Sequence, residues 1–300
     1  MLRDMNDLDG YAVNARDGTI GKVRDFYFDD EAWAVRYLIV DTGSWLSSRK
    51  VLISPMSMGK LDPNGKVLPV SITMEQVKNS PNIDTDKPVS RQHELEYLGY
   101  YNYPIYWGGA GMWGGGAYPG MVTGVGFDAA SAEYRQARPQ DEHAQPVQGQ
   151  RETHDTHLRS CKGIMKYDIE ASDGDLGHVH GMLLDDETWA VRYLIVDTSN
   201  WWLGHKALIA PQWIREMRWS DKTVKLNLTR QAIKDAPQYD PAITVNRDRE
   251  ALLYKHYDRP GYWAGEGQQQ KPQSRVGEST VPPAFRQPDG KASRDETHSR

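Results

Sequence analysis

Glu152, His154, Asp155, His157 and Cys161 form the densest run of potential metal ligands in the chain, and carboxylate, imidazole and thiolate are the donors that zinc takes. His154 and His157 stand three residues apart, which suits one ligand pair. No second pair follows, so the run reads as the polar entry to a folded unit rather than a metal centre. Two acidic triplets, Asp29-Asp30-Glu31 and Asp185-Asp186-Glu187, offer the hard oxygens of calcium or magnesium sites. Adjacent carboxylates at a strand end point in different directions and no glycine-containing ligand loop follows, so both triplets read as solvated turns. Asp41 and Asp197 each lie five residues after an arginine, Arg36 or Arg192. Odd spacing puts the two side chains on opposite faces of a strand, so any pairing they make is cross-strand. His178, His180 and His205 have Lys22, Arg24 and Arg49 in the matching places of the first copy described below, and read as surface polar positions. No Ser-His-Asp set, Gly-Lys-Ser/Thr phosphate loop or dinucleotide fingerprint is present. The sequence therefore predicts no catalytic residue, no cofactor and no metal.

What must position these residues is a unit that occurs twice. Trp33-Ala34-Val35-Arg36-Tyr37-Leu38-Ile39-Val40-Asp41-Thr42 returns as Trp189-Ala190-Val191-Arg192-Tyr193-Leu194-Ile195-Val196-Asp197-Thr198, an offset of 189 − 33 = 156. The same offset aligns Leu2 with Leu158, Asp17-Gly18 with Asp173-Gly174 and Trp107 with Trp263 without a gap. Such repetition predicts an internal duplication and two similar folded bodies. The expected organisation is a first unit over 1–107, a Gly/Gln/Pro-rich flexible linker over 108–157, a second unit over 158–263 and a disordered polar tail over 264–300.

Composition narrows the classes further. The 300 residues carry a formal net charge of −5, which argues against a nucleic-acid backbone binder. The single Cys161 gives no sign of an oxidising compartment, and the first residues run directly into the first repeat with no signal-peptide pattern, so the cytoplasm is the expected location. No stretch approaches 18 consecutive apolar residues, so no direct membrane span is expected.

Within each copy, short β-branched and aromatic runs alternate with Asp-Gly, Asp-Asp and Asn-Gly punctuation, the pattern of strands joined by tight turns. Strands are expected at about 20–28, 35–40, 50–54 and 66–72, with Pro55 and Pro211 ending a ladder for want of an amide donor. Thr73 with Gln76 predicts a capping box on a short helix that ends at Pro81, with the counterpart at 229–237. An aromatic tail, 94–107, ends each copy, matched by 250–263. The fold class is all-β with minor helix, two small barrels closed so that no edge is exposed.

The series Asp17-Gly18, Ile20-Gly21-Lys22-Val23, Phe28-Asp29, Val35-Arg36-Tyr37-Leu38-Ile39-Val40-Asp41 and Val51-Leu52-Ile53-Ser54-Pro55 resembles the PRC-barrel family, and the second copy repeats it. That resemblance implies a small β-barrel like the one in the cytoplasmic part of the photosynthetic reaction-centre H subunit, in a ribosome-maturation factor and in stand-alone bacterial proteins. It implies docking rather than catalysis. Trp33 and Trp189 are expected to plug the barrel ends. Trp45, Leu46, Trp201, Trp202 and Leu203, large apolar side chains in the loop before the Lys50 or Lys206 strand, are the expected protein-interaction residues. The expected function is a non-enzymatic interaction or scaffold module whose partner is another protein or its own second barrel, with a homo-oligomer as a further form. Two alternatives stand beside it: an accessory protein of a photosynthetic reaction centre that assists electron or proton transfer, and an enzyme with an unrecognised site.

Overall fold

The computed structural model describes residues 1–61, 65–82, 89–107, 112–113, 157–198 and 205–264. Two compact units divide the chain, Met1–Arg259 and Pro260–Arg300. In the second, the described residues make one turn, with the Ala264 amide donating to the Gly261 carbonyl. The linker and tail expected at 108–157 and 264–300 lie almost wholly outside the described residues.

The larger unit is mostly β, in two sheets with a few short helices. In the first half the strands are β1 (Leu2–Asp4), β2 (Ala12–Ala15), β3 (Gly18–Asp29), β4 (Ala34–Asp41), β5 (Lys50–Ile53) and β6 (Val67–Pro69), followed by helices α1 (Met74–Lys78) and α2 (Arg91–Tyr101). The second half repeats the plan with β7 (Leu158–Ser160), a short helix α3 (Cys161–Ile164), β8 (Asp168–Ala171), β9 (Gly174–Asp185), β10 (Val191–Asp197), β11 (Lys206–Ile209), β12 (Ile214–Arg218) and β13 (Thr223–Leu226), then α4 (Arg230–Lys234) and α5 (Arg247–His256).

β4 is apolar on both faces, and all its residues but the last are buried, as its near-continuous hydrophobic run requires. It sits between β3 and β5 in the order β5-β4-β3-β2-β6, and the second sheet runs β11-β10-β9-β8-β13-β12. Tyr37, Phe28, Leu38, Ile20, Ile53 and Leu68 fill the first core. Each such side chain contributes about 1.5–3 kcal/mol by leaving water. Gly21 and Gly177 let β3 and β9 pass close to the ends of β4 and β10: a Cβ on either would lie 2.0 Å from the carbonyl oxygen of Asp41 or Asp197.

Among the described residues the closed barrels expected from the sequence are not present as closed ladders. Pro55 and Pro211 each open a 3-10 turn directly after β5 or β11, and a residue without an amide cannot extend the pairing. The chain bends there instead. Past the turn Met58 bridges Val70, while in the second half β12 pairs with β13.

Local signals hold at several points. Thr73 and Gln76 form the reciprocal capping box on α1. The aromatic segment after Ser90 is a helix and not merely a tail: Ser90 caps α2, and Asn102 ends it in the left-handed conformation at φ 57. Tyr97 fixes that helix to the end of β5, donating to the Leu52 carbonyl at 2.9 Å and accepting from the Ser54 amide at 3.2 Å. No helix among the described residues is long and apolar enough to cross a membrane.

Candidate functional site

The two halves meet along a seam built by reciprocal strand exchange. β1 of the first half pairs antiparallel with β9, Leu2 opposite Asp185, and β7 of the second half pairs antiparallel with β3, Leu158 opposite Asp29. These are the same contact made twice, since 2 + 156 = 158 and 29 + 156 = 185. At the centre Ala34 bridges Ala190. The Val35 amide donates to the Trp189 carbonyl at 2.8 Å and the Val191 amide to the Trp33 carbonyl at 2.7 Å.

The acidic turns set up that centre. Asp29 Oδ1 accepts from the amides of Glu31 and Ala32, both at 3.0 Å, and Asp185 Oδ1 from that of Glu187 at 3.1 Å. Each turn ends on a tryptophan with positive φ, 50 at Trp33 and 59 at Trp189. A bulky residue there is strained by roughly 1–2 kcal/mol. The turn aims each tryptophan's carbonyl across the seam, so the residues expected to plug barrel ends join the halves through their backbones. Trp189 is buried and Trp33 half-buried.

Both aspartates of each turn are taken by arginine. Arg36 Nη2 donates to Asp29 at 3.2 Å and Arg192 Nη2 to Asp185 at 3.4 Å, within each half. Arg3 and Arg159, on the exchanged strands, reach Asp186 at 2.6 Å and Asp30 at 2.8 Å. Arg36 thus pairs with Asp29 and not with Asp41, which instead lies 3.5 Å from Arg24 on the neighbouring β3. Both pairings are cross-strand.

Beneath the first turn lies a buried polar centre. Glu94 on α2 is 0 % exposed and accepts from the Tyr37 hydroxyl at 3.0 Å, from the Tyr106 hydroxyl and from Arg91 at 3.4 Å. His157 Nε2, on the segment that leads into β7, lies 2.8 Å from Glu94 Oε2, the oxygen that also accepts from Arg91. The Arg36 guanidinium sits 3.9 Å from the Tyr106 ring centroid and 4.6 Å from that of Trp113, and Arg91 lies 4.3 Å from that of Trp107. Arg36 is 2 % exposed, and its Nε and Nη1 have no hydrogen-bond partner among the described residues. Burial, then the neighbouring Glu94 charge, pushes the Tyr37 and Tyr106 hydroxyls well above their ordinary range, which keeps both protonated as donors. The donors clamp the Glu94 carboxylate, and Glu94, His157, Tyr37 and Tyr106 are all buried. In the second half Tyr193 donates to Glu250 at 2.8 Å in the matching place.

An open cleft lies elsewhere, on the second half between α5 and the segment after α4. It encloses about 250 Å³ and is lined by Leu208, Pro237, Tyr239, Val245, Arg249 and Leu252, among others. Leu252 is 60 % exposed, and nearby in sequence Ile243 is 41 % exposed. Burial raises the Tyr239 hydroxyl to about 12. Sequence reading did not find this cleft; the signal available was Ala251-Leu252-Leu253 on a helix with one buried and one exposed leucine.

Trp45 and Leu46 lie half-buried on a 3-10 turn, Gly43–Leu46, and the Trp45 indole N–H donates to the Ile20 carbonyl. Trp201, Trp202 and Leu203 lie outside the described residues, as do Glu152, His154 and Asp155. Of the run of potential metal ligands that the sequence reads as a polar entry segment, His157 is turned to Glu94 and Cys161 is buried with its thiol pushed up by desolvation. His180 Nε2 lies 2.8 Å from Lys206 Nζ, and partial burial lowers His205.

A relative from Deinococcus radiodurans, described only as an uncharacterized protein, is 37% identical over 100 residues, 29% of this chain and 35% of its own length. The chain thus spans about a third of the relative it matches. The family model of the PRC-barrel domain matches residues 3–76, the stretch from β1 through the capped start of α1. Over residues 3–76 the chain carries a PRC-barrel domain.

Proposed function

We propose that the chain is a non-enzymatic interaction module of the cytoplasm, an internal duplication of two PRC-type barrels that pack on each other and present one shared platform to a protein partner. The observation that carries this reading is the cleft beside α5, an apolar groove whose rim residue Leu252 is 60 % exposed. A large apolar side chain at the edge of a preformed groove is the usual anchor of a protein contact. Tyr239 and Arg249 in the same groove are of the types enriched at such contacts. Support also comes from the buried polar centre, whose ionisable side chains are enclosed and hydrogen-bonded to one another. The loops bearing Trp45, Leu46, Trp201, Trp202 and Leu203 complete the proposed contact surface.

The test is quantitative capture from extract of the source cells by the full chain, with mass spectrometry, comparing the unaltered protein with Leu252→Asp and with Trp201→Ser/Trp202→Ser. One specific partner is expected to fall at least about tenfold for Leu252→Asp, a loss of about 1.4 kcal/mol, while the melting midpoint stays put. Identical capture by all three proteins contradicts the reading.

A further inference from the structure

The seam is two-fold in backbone but not in side chains. Where the first half carries Asp25 the second carries Gly181, and where the second carries Ser160 and Lys162 the first carries Asp4 and Asn6 (25 + 156 = 181; 4 + 156 = 160; 6 + 156 = 162). These positions face each other across the exchanged strands. On one side, Asp25 accepts from the Ser160 hydroxyl and from the Lys162 amide at 3.0 Å. The Lys162 ammonium also reaches Asp9 at 2.9 Å, where the second half has Met165. On the other side, a Cβ at Gly181 would lie 2.8 Å from Asn6 Nδ2 and 3.4 Å from Asp4 Oδ1. Position 181 is small where its neighbour is already a carboxylate.

We propose that these differences form a pairing code: the exchanged edge of the first half fits the edge of the second half and not a second copy of itself, so the partner this surface selects is the other half of the chain. Pairing two first halves sets Asp25 of each against Asp4 of the other and supplies no Lys162. Burial already holds both carboxyls above their ordinary range, so a second carboxylate adds repulsion at a site poor in solvent. Pairing two second halves sets Gly181 against Ser160, and the hydroxyl and the Lys162 amide both lose the Asp25 acceptor. The centre beneath follows the same logic. Glu94 faces His157, whereas a pair of first halves brings Met1 to that position. An attractive element in the right combination and a repulsive one in the wrong combination are together what specificity needs. This inference stands apart from the proposed partner cleft, which lies on α5.

The test is a cycle of substitutions in the full chain, read by thermal unfolding. Gly181→Asp and Gly181→Asn add nearly the same volume and differ in charge. With Asp4 present, Gly181→Asp is expected to melt about 3–6 °C below Gly181→Asn. With Asp4→Ser, which copies the second half, that gap is expected to vanish. A gap that persists without Asp4, or none with it, overturns the code. The other side of the seam gives a second cycle should Gly181→Asp not fold: Ser160→Asp is expected to destabilise and Asp25→Gly to rescue it, and failure of that rescue overturns the proposal.

Discussion

Ala34 lies opposite Ala190 in a single antiparallel bridge, the point about which the two halves of the chain are related. Both are essentially buried, and the residues on either side exchange amide and carbonyl across the gap. Nothing larger than alanine is needed there, because the backbones make the contact. From that point outward each half lends the other its first strand, so neither sheet is complete without the opposite half. The interface is isologous, as in a symmetric dimer, but it lies within one chain.

The buried Glu94 holds Tyr37, Tyr106, His157 and Arg91 at once. Glu94→Ala removes the carboxylate that these buried groups share, and a loss of about 3–5 kcal/mol is expected. Glu94→Gln keeps the shape and one acceptor oxygen but drops the charge, so its expected loss is smaller, about 1–3 kcal/mol. Urea unfolding of the full chain measures both, and equal stability of the three proteins contradicts the role given to Glu94.

A pH dependence follows from Asp185. Burial works against its charge, but the Glu187 amide, Arg192, the Met1 amino group and the Thr188 hydroxyl outweigh it and hold the carboxyl below its ordinary value. A carboxyl depressed on folding contributes stability that is full above its unfolded value, about 4, and is lost as pH falls through the folded value. Asp185→Asn is therefore expected to be about 1–3 kcal/mol less stable than the unaltered protein at pH 7. The difference should shrink steadily below about pH 4. A difference that is constant from pH 7 to pH 3 counts against this assignment.

Strands β3, β4 and β5 were legible because each combines an apolar run with turn residues at its ends, and the α1 capping box because Thr73 and Gln76 act across three residues. The acidic triplets are turns, as read, since Asp29 and Asp185 bind their own following amides, but they are not solvated ones: Asp29 is buried, and the aspartates pair with arginines that no local pattern names. The exchange of β1 and β7 was not legible. Each is a three-residue strand, too short for any alternation to register, and Leu2 meets a partner at Asp185 that no local signal names. Helix α2 was obscured by its aromatic content, since Tyr97, Tyr100 and Tyr101 favour strands by propensity and form a helix because Tyr97 and Tyr101 bury against β5 and its surroundings. The open ladders after Pro55 and Pro211 follow from a residue type noted in advance, although closure was expected around it. Of the contact residues inferred from sequence, Trp45 spends its indole donor on the Ile20 carbonyl, a long-range partner that loop composition cannot reveal.

Reciprocal exchange within one chain is tested most directly by the double variant Ala34→Cys/Ala190→Cys, oxidised in dilute solution and run on a non-reducing gel with peptide mapping. Directly opposed residues at an antiparallel bridge lie within disulfide reach. A monomer with positions 34 and 190 linked to each other, at near-complete yield, is the expected result. Absence of that link, or links formed only between separate chains, would contradict the joined halves on which the whole account rests.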